Sequence, residues 1–130
     1  MNDTSPLALA RLFFGHWSGG RIDDALAMLA DDVLYDNVPL PDIVGRSGVE
    51  TFHKDFGVGR DYAVDWQVVS IAAAGDVVLN ERLDLFRHVS GAEISLPVMG
   101  TLTFVDGKIT VWRDYFDLGT FERQLAAIPA

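Results

Sequence analysis

The chain reads as an α+β domain in which three to four helices cover one face of a strongly curved, mixed or antiparallel sheet and enclose an apolar pocket. Three observations predict this. Apolar residues recur at helical spacing through the first 56 residues, apart from a short break at Val33–Val44. From Tyr62 to Phe116 the period changes to two, and a last helical stripe follows. Three turn signals, Gly75-Asp76, Ser90-Gly91 and Asp106-Gly107, divide the period-two region into long runs.

The elements follow in order. Ser5 then Pro6 reads as an N-cap and first helical position, and Leu9, Leu12, Phe13 and His16 or Trp17 continue at helical spacing. Ser18-Gly19-Gly20 breaks that helix. Ile22, Ala25, Leu26 and Leu29 form a second helical stripe, ended by Asp31-Asp32. Val33 to Val38 reads as a short strand stopped by Pro39 and Pro41, with Ile43-Val44 a brief strand of its own. Ser47-Gly48-Val49-Glu50 matches a capping box, in which the serine accepts from a first-turn N–H and the glutamate reaches back. The helix behind it carries Val49, Phe52, His53 and Phe56, and Gly57 and Gly59 end it. Four long antiparallel strands are predicted over 62–74, 77–89, 92–105 and 108–116, and a final helix over 118–127 with Leu118, Phe121 and Leu125.

Composition narrows the function classes. With 130 residues, 49% of them hydrophobic, the expectation is one domain over 1–130 with a real core. A formal charge of −9, with 10 Lys+Arg scattered singly, argues against nucleic acid or an anionic membrane as partner. There are no cysteines, hence no disulfide and no thiolate chemistry. The N-terminal residues show no basic region before an apolar run, and no apolar run reaches the roughly 20 residues of a membrane span. A cytoplasmic protein is expected.

Chemistry concentrates on two strands. In Trp112-Arg113-Asp114-Tyr115-Phe116-Asp117, alternation puts Trp112, Asp114 and Phe116 on one face. In Asn80-Glu81-Arg82-Leu83-Asp84-Leu85-Phe86 it puts Asn80, Arg82, Asp84 and Phe86 on one face. A carboxylate between aromatics is costly unless it is paired or used. Two carboxylates bridged by one guanidinium fork cannot both ionise cheaply when buried, so one is pushed to a raised pKa. Such a pair can take a proton from water and give one to a leaving oxygen. Tyr35 and Asn37, two apart on the first strand, can hold the water. The three histidines, His16, His53 and His88, show no metal-ligand spacing. His53 and Arg113 read as structural residues.

Tyr35-Asp36-Asn37-Val38-Pro39, Arg82-Leu83-Asp84 and Trp112 to Asp117 resemble the limonene-1,2-epoxide hydrolase family, within the larger SnoaL-like, NTF2-like group. The likeness follows the element order over nearly the whole chain and is strongest from Glu81 to Phe121. It implies an NTF2-like cone and cofactor-independent addition of water to a small apolar epoxide. Carried over by position, Asp114 is the base, Asp84 the acid and Arg82 the bridge, with Tyr35 and Asn37 holding the water. The resemblance also suggests a homodimer. Set against that family, the sequence is expected to lack most of an N-terminal extension. Strand alternation names Phe86, Leu96, Val98, Trp112 and Phe116 as pocket lining, with Phe121 at the mouth. Two other readings fit the same fold. One is an isomerase or cyclase of ketosteroid-isomerase or polyketide-cyclase type, the other a non-catalytic ligand-binding module.

Overall fold

The computed structural model describes residues 3–129. Four helices and six strands follow in the order α1 (Pro6–Ser18), α2 (Ile22–Ala27), β1 (Leu29–Val38), β2 (Ile43–Val44), α3 (Arg46–Phe56), β3 (Tyr62–Ala74), β4 (Val77–His88), β5 (Glu93–Val105), β6 (Lys108–Tyr115) and α4 (Leu118–Ala126). The strands form one mixed sheet in the order β2-β1-β6-β5-β4-β3. Every pairing is antiparallel except β1 with β6, which is parallel. Register shifts at Val68/Ser70 and Thr103/Phe104 bend the long strands and help the sheet curl.

Local chemistry explains three of the helix ends. Ser5 caps α1 by accepting from the Ala8 N–H at 3.2 Å, and Pro6 opens the helix. Asp117 caps α4 by accepting from the Thr120 N–H at 2.9 Å. Gly57, at φ 106°, ends α3 in the left-handed region that favours glycine.

Two expected boundaries are wrong. Leu29 and Asp31-Asp32 do not belong to the second helix or its end; α2 stops at Ala27 and Leu29 opens β1. A register shift against β6 between Leu29 and Leu34 lets Asp31 and Asp32 project outward without breaking the strand. The capping box does not form either. α3 begins at Arg46, after Gly45 at φ 97°, with no side-chain cap, so Ser47 already lies within the first turn. The chain turns out of β2 on a backbone conformation that glycine supplies, two residues too early for the serine to act as the cap.

α1 lies across β3 and β4 and presents Ala10, Phe13, Phe14 and Trp17 inward. Trp17 and Trp112 are each 1% exposed and Phe13 is fully buried. The Phe13 and Trp112 rings meet edge to face with centroids 5.0 Å apart. The Trp66 N–H donates to Ser18 Oγ at 2.9 Å, which ties the end of α1 to β3. This packing closes one end of the cone and leaves a cavity towards the other.

Candidate active site

Four neighbouring strands bring the polar groups together by register. Asn80 lies opposite Gly100 across β4 and β5, and Gly100 opposite Asp114 across β5 and β6. On the other side of β6, Asn37 pairs with Asp114 and Tyr35 with Trp112. One row of the sheet therefore runs Asn37, Asp114, Gly100, Asn80. Arg82 and Asp84 follow Asn80 at steps of two, on the same face.

The five N–H groups of Arg82 all find acceptors. Its Nε and Nη2 donate to Asp84 Oδ1 and Oδ2 at 3.0 Å each. Its Nη1 and Nη2 donate to Asp114 Oδ1 and Oδ2 at 3.1 and 2.9 Å. The remaining Nη1 hydrogen goes to Asn80 Oδ1. Asn80 donates in turn to the Gly100 carbonyl at 3.2 Å. The face of the guanidinium lies 4.4 Å from the centroid of the Phe14 ring on α1. The second Asp114 oxygen also accepts from Trp112 Nε1 at 3.0 Å. Asn80 stands on the predicted face, but the sequence alone points to no role for it. Its signal was its place two residues before an arginine that has more donors than two carboxylates can absorb.

Electrostatics follow from burial. Arg82, Asp84 and Asp114 are 2%, 5% and 4% exposed. Two carboxylates and one guanidinium carry a net −1 when fully ionised, and one proton makes the group neutral. Burial pushes the Asp84 carboxyl up to about 6, against the lowering pull of Arg82 and with a further raise from Asp114. Burial alone would lower the Arg82 pKa, but Asp114 and Asp84 outweigh it and hold the group above its ordinary value. Burial, with Asp114 adding to it, also holds the Tyr35 phenol well above its ordinary value, so its hydroxyl keeps its proton.

A cavity of about 240 Å³ opens beside this cluster. Tyr35, Asn37, Asp84 and Asp114 all face it. So do Phe86, Leu96, Val98, Trp112 and Phe116, the residues that alternation named as lining, and Phe121 of α4, which was expected at the mouth. Arg82 is not on the wall; it sits behind the two carboxylates. Phe52, Phe56 and His53 of α3 line the cavity as well. Of these, His53 is the satisfied core residue the sequence suggested, and its ring also faces the cavity. Its Nδ1 is 2.8 Å from the Val49 carbonyl, and burial lowers its pKa to about 4, so the ring stays neutral. Arg113 faces away and pairs with Asp36 at 2.8 Å. Among the described residues, no group of three or more metal-ligating side chains is found. Nor is any helix long and apolar enough to cross a membrane.

A sequence model of the limonene-1,2-epoxide hydrolase catalytic domain matches residues 5–127. Epoxide hydrolase EphG of Mycobacterium tuberculosis is 33% identical over 96 residues, which is 74% of this chain and 62% of that protein. Among solved structures, an M. tuberculosis LEH-like epoxide hydrolase superposes with a TM-score of 0.80 at 27% identity, covering 93% of this chain and 89% of the other. Two further structures share the fold at lower identity. An NTF2-like protein of Burkholderia pseudomallei has a TM-score of 0.82 at 16% identity, covering 97% and 100% of the two chains. A candidate polyketide cyclase of Xanthomonas campestris has a TM-score of 0.79 at 23% identity, covering 92% and 96%. With a match over residues 5–127 and an α+β cone shared with these structures, the chain belongs to the limonene-1,2-epoxide hydrolase family.

Proposed function

We propose that the protein is an epoxide hydrolase that adds water to a small apolar epoxide in one step, without a cofactor, to give a vicinal diol. The observation that carries this reading is the Arg82 fork between two buried carboxylates on the wall of an apolar cavity. Tyr35 and Asn37 hold a water against Asp114. Asp114 takes a proton from that water as its oxygen attacks one oxirane carbon. The bond between that carbon and the ring oxygen breaks, and Asp84 gives its proton to the departing oxygen. Asp114 then carries one proton more and Asp84 one fewer, and a proton returned from Asp114 to Asp84 restores the resting state. The raised pKa of Asp84 suits the acid. The fork on Asp114, with the Trp112 N–H, fixes the base at the water. The exposed Leu79, Met99 and Tyr115 on the outer sheet face suit pairing of two copies, which light scattering would detect.

The test is diol formation from a panel of cyclic and linear epoxides, with Asp84→Asn and Asp114→Asn as variants. Each substitution is expected to reduce turnover by at least about 100-fold, the scale of one acid–base group. Retention of a tenth of the activity in either variant contradicts the assignment. Solvent-deuterium exchange into ketones without diol formation would point to an isomerase instead.

A further inference from the structure

We propose that the end of the cavity away from the carboxylates is an aryl subsite, so that the preferred substrate is an oxirane carrying a flat aromatic group one or two atoms away. The proposal rests on the hydrolase reading and adds the class of substituent.

The direction comes from the sheet. β4 and β6 are both antiparallel to β5 and so run the same way. Phe86 follows Asp84, and Phe116 follows Asp114, by two residues on the same face. Each step is about 7 Å along the strand. The Phe116 N–H donates to the Val38 carbonyl at 3.3 Å, so the extended path continues past the last residue of β6. The two phenyl rings are therefore displaced from the two carboxylates in one direction. A substrate whose oxirane lies at the acid–base pair can send its substituent towards these rings, which line the same cavity.

Two helices complete a box at that end. Phe121 of α4 meets Phe86, Phe116 and Phe56 with ring centroids 6.4, 6.1 and 5.8 Å apart, and Phe56 of α3 meets Phe86 at 5.7 Å. The contacts with Phe86 and Phe116 are edge-to-face. All four rings line the cavity, and all four are only half buried. The rings of the core proper, such as Phe13 and Trp17, are sealed. Four phenylalanines that served only as filler would close on one another in the same way. Instead their faces and edges are left towards the cavity. An aromatic guest meets ring edges and faces with complementary quadrupoles and gains attraction beyond area burial. A saturated ring of the same size gains only the area term.

The test compares phenyl glycidyl ether with cyclohexyl glycidyl ether. In both, an –O–CH2– link keeps the ring out of conjugation with the oxirane, so the inductive difference in reactivity stays small beside the tenfold effect expected. The expected result is a kcat/KM at least tenfold higher for the phenyl ether, falling towards parity in Phe121→Leu and Phe86→Leu. Equal kcat/KM values in the wild type, or a preference that persists undiminished in both variants, overturns the subsite. Phenoxyacetamide and cyclohexyloxyacetamide, which have no oxirane, give a second measurement through the quenching of tryptophan fluorescence. Tighter binding of the phenoxy amide supports the subsite, and equal or weaker binding overturns it. If neither ether is hydrolysed, the hydrolase reading fails, and the amide pair decides the aryl subsite by itself.

Discussion

Arg82 decides the site at the scale of single residues, because its planar fork is what holds two carboxylates at once. Lysine would keep the charge and lose the plane. Arg82→Lys is expected to remain folded and to lose most of its diol-forming activity at every pH. A lysine variant equal to the wild type across pH would reduce Arg82 to a point charge. Asn80 completes the fork by taking its fifth hydrogen. Replacing it with leucine leaves one guanidinium N–H and the Gly100 carbonyl without that partner in a buried place. An unsatisfied buried group costs about 1–3 kcal/mol, so Asn80→Leu should be destabilised by that order in urea unfolding. An unchanged midpoint would show that the pair is dispensable. Legibility differs sharply among these residues. Arg82, Asp84 and Asp114 were readable because charges beside aromatics on an alternating strand call for an explanation. Asn80 was not, because a strand asparagine has many ordinary uses. From the sequence His53 reads as core, and only the packing of α3 shows that the same ring also faces the cavity.

At the scale of elements, the close approach of β5 to β6 depends on what is missing at Gly100. A Cβ there would fall onto the Asp114 carboxylate and the Arg113 carbonyl. The Arg113 carbonyl is backbone and cannot swing aside, so the strand or the carboxylate must shift. Gly100→Ala is therefore expected to reduce turnover by about 100-fold, the scale attached to roughly 1 Å of misplacement at a reacting centre. Steady-state kinetics with circular dichroism on the same sample would separate this from unfolding. Full activity in a folded alanine variant would mean that Asp114 need not sit where it does. The period-two pattern predicted the four long strands, and the turn signals predicted where they reverse. The parallel pairing of β1 with β6 was beyond that kind of reading. It joins residues about 77 positions apart, and local alternation carries no information on which distant strand lies alongside. Yet that pairing is what sets Asn37 beside Asp114. The failed capping box at Ser47 has the opposite cause, a valid local signal overridden by a glycine turn two residues earlier.

For the whole molecule, the buried pair links folding to pH. In the unfolded chain Asp84 titrates near its ordinary value of 3.8, and in the folded protein burial raises it to about 6. Between these values the folded state binds more protons than the unfolded one, so stability falls as pH rises. The stabilisation is fully present below the unfolded value and is lost as pH passes through about 6. A shift of about two units corresponds to about 2–3 kcal/mol between the two limits. The net charge of −9 pushes the same way as the other carboxylates ionise, so wild type alone does not isolate the effect. The Asp84→Asn variant keeps an acceptor for Arg82 but cannot titrate. Urea unfolding of both proteins at about pH 4 and about pH 8 gives the difference of differences. Wild type should lose about 2–3 kcal/mol more than Asp84→Asn between those conditions. Turnover should track the same proton. If Asp84 is the acid, kcat/KM of the wild type falls about tenfold per unit as pH rises beyond about 6, because only the protonated carboxyl can serve the departing oxygen. Equal stability losses in the two proteins would place the shared proton elsewhere in the cluster. A pH profile flat across that value would remove Asp84 as the acid even if the fork itself is correct.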